Sequence, residues 1–215
     1  DGTAAGTQMV KDIYPGASGS SPSGLTLFQG LVFFAARDAD GKELWRTSGT
    51  NGGTLKVGDL YPGSAGSGPG HFRAGLGSLF FTATDGTHGY ELWRCTGSTA
   101  SMVKDIYPGP ENGSPIRMQA FAGSLFFSAQ DDTHGRELWK STGVSAGTNL
   151  FKDIRPGNYG SEVGDTLLYD NLMLFKANDG TYGTELWKTD GTVDGTVVVK
   201  DVYEGGHGGD PQHIA

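Results

Sequence analysis

Four short apolar runs punctuate the chain at regular intervals. Leu31-Val32-Phe33-Phe34-Ala35, Leu79-Phe80-Phe81-Thr82-Ala83, Leu125-Phe126-Phe127-Ser128-Ala129 and Met173-Leu174-Phe175-Lys176-Ala177 carry apolar or small side chains at successive positions. Neighbouring side chains of a strand point to opposite faces, so each run predicts a strand covered on both sides. A shorter apolar segment precedes each run, as in Leu25-Thr26-Leu27-Phe28 or Gln119-Ala120-Phe121, and closes at Gly30, Gly77, Gly123 or Asn171. Gly and Asn accept positive φ, which predicts a tight hairpin turn. After each run an aspartate (Asp38, Asp85, Asp131, Asp179) heads a Gly-containing turn. Its carboxylate is expected to accept a hydrogen bond from the backbone N–H two residues on. A third strand carries Glu-Leu-Trp, and a fourth, of the type Val-Lys-Asp-Ile, alternates apolar and polar positions as a strand with one wetter side does.

The pattern is a repeat. Glu-Leu-Trp occurs at residues 43–45, 91–93, 137–139 and 185–187, and these hold all four tryptophans, Trp45, Trp93, Trp139 and Trp187. A second signature runs at the same period: Val10-Lys11-Asp12-Ile13-Tyr14-Pro15-Gly16 and its counterparts beginning at Val57, Val103, Phe151 and Val199. A period in the high forties is the size of one four-stranded meander, the unit of a β-propeller. The expected fold is therefore all-β, a propeller of four-stranded antiparallel blades with four complete repeats plus a partial one. The whole of residues 1–215 reads as one array, with units at about 17–62, 63–108, 109–156 and 157–204 and a partial repeat from 1–16 and 205–215. Five copies of the second signature against four of the first make the chain read as a segment of a longer array. The strands at its two ends, around Val10 to Ile13 and Gln212 to Ala215, are expected to pair with further residues or with neighbouring copies. Repeat two is shorter by two residues between Trp93 and Asp105, an even deletion that leaves side-chain parity unchanged. One Trp per unit is expected to fill the space between blades.

Composition narrows the function classes. Thirty-seven glycines among 215 residues lack a Gly-X-Y register and accompany 11% aromatics, so they punctuate turns and indicate neither collagen nor disorder. A net charge of -8 without a basic run argues against a nucleic-acid partner. No apolar stretch is long enough to span a membrane. The single cysteine, Cys95, occupies the slot of Thr47, Ser141 and Thr189 and supports no disulfide framework.

Glu185-Leu186-Trp187-Lys188-Thr189-Asp190-Gly191-Thr192, followed by Gly195-Thr196 and Val199-Lys200-Asp201, closely resembles the ELWxxDGT repeat of bacterial secreted and surface proteins. The likeness extends along the whole chain, with Asp190 replaced by Ser48, Thr96 and Thr142 in the other units and matched by Asp1. The resemblance implies an extracellular or cell-surface, propeller-like array.

Candidate chemistry is sparse. The recurrent Glu43, Glu91, Glu137 and Glu185, with Asp12, Asp59, Asp105, Asp153 and Asp201, are carboxylates. Enzymes concentrate unlike groups at one place, whereas a residue repeated in every blade serves the blade. These are expected to form a network with Lys, Arg or backbone between strands, and no catalytic residue is assigned. The turn before Glu-Leu-Trp varies on a fixed frame, with Asp40, His88, His134 and Tyr182 each preceding a glycine, and these four are the candidate ligand-binding tips. Asp38-Ala39-Asp40-Gly41, Asp131-Asp132 and Asp190-Gly191-Thr192 offer oxygens of the kind calcium takes. They lack the ordered spacing of a calcium loop, so the turn reading takes precedence. Asn112-Gly113-Ser114 is a glycosylation sequon at Asn112, and the Ser-rich loop at 17–23 is a candidate for O-linked sugar. The expectation is a non-enzymatic extracellular scaffold, structural or adhesive. The alternative is a lectin-like module with one shallow sugar site per blade and glycans, or further copies of itself, as partners.

Overall fold

The structure, a computed structural model, describes residues 1–203 and 208–211. It contains four four-stranded antiparallel sheets, each a simple meander whose strand order follows the chain. Blade 1 comprises β1 (Ser23–Phe28), β2 (Leu31–Asp38), β3 (Gly41–Thr47) and β4 (Leu55–Gly58). Blade 2 comprises β5 (Gly70–Gly75), β6 (Ser78–Ala83), β7 (Glu91–Cys95) and β8 (Ala100–Lys104). Blade 3 has β9 (Ile116–Phe121), β10 (Ser124–Asp131), β11 (Gly135–Ser141) and β12 (Thr148–Lys152), with one 3-10 turn at Ser145–Gly147. Blade 4 has β13 (Thr166–Tyr169), β14 (Leu172–Asn178), β15 (Thr184–Thr189) and β16 (Val197–Lys200). These are propeller blades. The first strands lie inward, since β1 contacts β5, β5 contacts β9 and β9 contacts β13 across the blades.

The turn between the first two strands of each blade is tighter than the sequence indicates. Gln29, Leu76, Ala122 and Asp170 adopt φ between 44° and 55°, and Gly30, Gly77 and Gly123 follow them with φ near 70°. Two successive left-handed residues make the turn whose twist matches that of the flanking strands. In blade 4 the positive φ falls on Asp170 and not on the expected Asn171.

The second strands are covered as expected in blades 2 and 3, where all six residues of β6 and the first six of β10 are buried. The cores lie between blades. Phe33 and Leu44 of blade 1 join Leu79, Phe81 and Trp93 of blade 2 in one cluster. Phe80, Leu92, Val103 and Ile106 of blade 2 join Leu125, Phe127 and Trp139 of blade 3. Phe126, Leu138 and Ile154 of blade 3 join Met173, Phe175 and Trp187 of blade 4. Each of these tryptophans thus fills the junction with the preceding blade. Trp45 packs with Phe34, Ala36 and the side chain of Ile13. Val10 to Ile13 form no strand, so Ile13 serves as a packing segment where an edge strand is expected. Gln212 to Ala215 lie outside the described residues.

Blade 4 departs from the expectation of double coverage. In β14, Met173, Phe175 and Ala177 are buried while Leu172, Leu174 and Lys176 are only half-buried, and β15 alternates in the same way. Among the described residues no sheet packs on the face that carries Leu174 and Leu186, whereas Leu44, Leu92 and Leu138 at the slot of Leu186 are sealed by the next blade.

Candidate functional site

Among the described residues the repeated glutamates are the buried ionisable carboxylates, each at most 1% exposed. Leading the Glu-Leu-Trp strand, each turns its carboxylate to backbone donors. Glu43 accepts from Leu60 N–H at 3.2 Å, Ser67 N–H at 2.7 Å and the Ser67 hydroxyl at 2.5 Å. Glu91 accepts from the N–H groups of Ile106 at 2.8 Å, Tyr107 at 3.4 Å and Gly113 at 2.7 Å. Glu137 accepts from Ile154 N–H at 2.9 Å, Arg155 N–H at 3.2 Å and the Ser161 hydroxyl at 2.6 Å. Glu185 repeats the arrangement with Val202 N–H at 3.4 Å and Gly209 N–H at 2.6 Å. One set of donors belongs to the end of the same blade and the other to the loop that enters the next. For the glutamates the expected network is present, made with backbone and serine and not with Lys or Arg, and it links blades as well as strands. Asp105, Asp153 and Asp201, by contrast, each keep a buried Oδ1 without a hydrogen-bond partner among the described residues.

Burial works against charge on Glu43, Glu91 and Glu137, while the donors favour it. Burial prevails, raising the Glu43 pKa above the usual range and pushing Glu91 and Glu137 up to about 7.

The loop they hold is itself a junction. Gly68, Ser114, Ser161 and Asp210 donate their N–H groups to the carbonyls of Lys42, Tyr90, Arg136 and Thr184 in the preceding blade, at 2.8–2.9 Å. On the other side, Ser20, Ser67, Gly113 and Ser161 accept from Arg37, Thr84, Gln130 and Asn178 of their own blade, at 2.8–3.1 Å. Only glycine fits at the crossing: a Cβ on Gly66 or Gly160, both at φ near 70°, would collide with the backbone of Lys42 or Arg136. Farther out, Arg46 donates to the Gly97 carbonyl at 3.0 Å and Lys140 to that of Gly191 at 3.3 Å, again one blade onward.

The four candidate tips stay on separate blades. Asp85, Asp131 and Asp179 each accept the two N–H groups that close their turn, and Asp38 accepts Asp40 N–H at 2.9 Å, as the sequence predicts. The two histidine side chains then turn to the same aspartates, while in blade 1 a lysine joins the turn aspartate to the tip. Lys56 bridges Asp38 at 2.7 Å and Asp40 at 2.6 Å. His88 Nδ1 lies 2.8 Å from Asp85 and His134 Nδ1 2.9 Å from Asp131. His88 Nε2 is 4.0 Å from Asp105. The hydrogen bond to the aspartate raises the pKa of both histidines. Burial would raise Asp85 and Asp131, but the N–H donors and the imidazole outweigh it and lower both. Tyr182 is 42% exposed, and Asp40 is exposed as well despite its contact with Lys56.

The remaining candidates have local partners too. Asp190 accepts the N–H and hydroxyl of Thr192, at 2.9 and 2.7 Å, which lowers its pKa. Asp1 likewise accepts the N–H and hydroxyl of Thr3, at 2.9 and 2.8 Å. Among the described residues no three metal-ligating side chains come together. Asn112 is exposed, and its carboxamide oxygen accepts Tyr90 N–H at 2.8 Å. Thr47 with Thr54, Ser141 with Thr148 and Thr189 with Thr196 form hydroxyl pairs at 2.7 Å. In the shortened blade 2 the pair becomes Cys95 opposite Ala100, so loss of the loop hydroxyl accompanies loss of its partner.

No protein-family model and no curated protein matches the chain. Among solved structures it is similar to the computationally designed Ika8 protein, at 15% identity and a TM-score of 0.50 over 92% of this chain and 54% of that one. A structure from a study of two prolyl endopeptidases is similar at 11% identity and a TM-score of 0.53, over 79% of this chain and 24% of that one. A Mycobacterium tuberculosis puromycin-hydrolyzing peptidase is similar at 10% identity and a TM-score of 0.53, over 87% and 29%. The chain thus spans about half of the designed protein and about a quarter of the peptidases. At these identities the likeness is one of fold alone.

Proposed function

We propose that this chain is a non-enzymatic, extracellular or cell-surface propeller array that serves as a structural or adhesive scaffold. The observation that carries the reading is the use made of the recurrent carboxylates. Each is buried at a blade junction with its oxygens taken up by backbone and serine donors, so none is presented to a substrate. The unlike groups a reaction would need, His88, His134 and Tyr182, sit one per blade, each beside its own turn aspartate. A rigid frame that displays variable turns is suited to adhesion, in which many weak contacts add.

The lectin-like alternative places sugar contacts at those tips, and a glycan array separates the two. The scaffold reading expects the same binding profile from the wild type and from a variant carrying His88→Ala, His134→Ala and Tyr182→Ala. Loss of a defined sugar signal in a folded variant would favour the tips as lectin sites over the scaffold reading.

A further inference from the structure

The innermost strands carry a second repeated feature. Near the start of β1, β5 and β9 the register with the next strand slips, and Gly24, His71 and Arg117 occupy this bulge with φ of 69°, 53° and 55°. The corresponding residue of blade 4 is Asp165. A left-handed residue at a bulge re-aims its side chain, and a non-glycine residue held there is a strained choice. Between blades 3 and 4 the purpose is visible, because Arg117 forms an ion pair with Asp165. One blade's slot therefore reaches the next blade's slot, and a cation in it binds a carboxylate.

Blades 1 and 2 lack the acid. Here the same slots, Gly24 and His71, border a cavity of about 570 Å³ at the inner ends of blades 1 to 3. Lys42, His71, Phe72, Tyr90, Ser23 and Ser114 contribute to its wall, and no Asp or Glu does, although the chain carries a net charge of -8. The Lys42 ammonium has no hydrogen-bond or ion-pair partner among the described residues, and His71 is exposed. Two glycines make the room: a Cβ on Gly24 would lie 2.6 Å from the Phe72 ring, and one on Gly68 would lie 2.7 Å from the Tyr90 hydroxyl. An unpaired cation, hydroxyls and two aromatic rings in a concave site of this size match a small hydroxylated anion.

We propose that this inner cavity binds an acidic sugar of the uronate class, with Lys42 as the counter-ion of its carboxylate, His71 beside it, and Phe72 and Tyr90 against the ring. The site goes beyond the scaffold role and uses none of the turn tips, so its failure would leave that role standing. Calorimetric titration with glucuronate, glucose and acetate tests it. Glucuronate is expected to bind at least about tenfold more tightly than glucose or acetate, since charge and ring must act together. Lys42→Gln is expected to weaken glucuronate about tenfold, while Lys56→Gln, outside the cavity, leaves it unchanged. Lys42 meets its neighbouring blade through its backbone carbonyl, which the substitution retains. His71→Ala, on an exposed side chain, provides a second loss-of-binding variant. No binding of glucuronate to the wild type, equal binding of glucose or acetate, or undiminished binding by both folded variants would overturn the proposal.

Discussion

A buried carboxylate held by two or three N–H and O–H donors is an anchor whose state depends on pH. For Glu91 and Glu137 the folded pKa of about 7 lies above the reference value of 4.5. The folded state therefore binds more protons than the unfolded chain between these values. Their contribution is fully present below pH 4.5 and is lost as pH rises to about 7. His88 and His134 have raised pKa values too, so their contribution likewise declines as pH rises through the folded value. Asp85 and Asp131 are lowered and act oppositely, losing their contribution only as pH falls through their depressed values. Urea unfolding is thus expected to give a higher midpoint at pH 5 than at pH 8. Replacing Glu91 and Glu137 together by Gln should flatten that slope, and an unchanged slope would contradict the assignment of titration to these two groups.

At the scale of elements, the junction loop is where sequence and structure diverge most instructively. The strands were legible because the apolar runs, the Asp-headed turns and Glu-Leu-Trp each report a local geometry. Phe33, Phe81 and Phe127 predict double coverage and have it, while Leu174 predicts it and is half-buried, because coverage depends on a neighbouring sheet that periodicity alone does not supply. Left-handed φ at Gln29, Leu76 and Ala122 was not legible, since none of these residue types favours it and the hairpin imposes it. Nor was the reach of Glu43 to Ser67 or of Glu137 to Ser161, contacts across a loop between blades. A usable signal existed in the near-constant spacing from each Glu to a Ser or Gly at the loop, 24 residues to Ser67, Ser161 and Gly209 and 22 to Gly113 in the shortened blade 2. The same loop gives a sharp contrast in glycine tolerance. Gly160→Ala drives a Cβ into the Arg136 backbone at φ +70° and is expected to cost about 1 to 3 kcal/mol. Gly19 has open space around it and no positive φ, so Gly19→Ala is expected to be neutral or slightly stabilising. Thermal melts of the two variants that shifted equally would contradict the crossing-point account.

For the whole molecule, the strand ladders lie within blades while the apolar clusters lie between them. Each core cluster draws on two adjacent blades or on Ile13, and each junction adds a glutamate, a paired loop and, at two of them, an outer cation on a carbonyl. Blades tied in this way should unfold as coupled neighbours, as in other repeat arrays where the interfaces carry the stability. This coupling accords with the proposed scaffold role, in which the repeated carboxylates serve the frame.

The most direct measurement is hydrogen exchange by mass spectrometry on Glu137→Ala. Removing the carboxylate strands the donors of Ile154, Arg155 and Ser161, at a cost on the order of 3 kcal/mol. The account predicts that protection falls together at residues 152–155 of blade 3 and at residues 158–164 leading into blade 4, with blade 1 unaffected. Protection lost only within β11, or lost nowhere, would contradict the claim that this repeated glutamate joins one blade to the next.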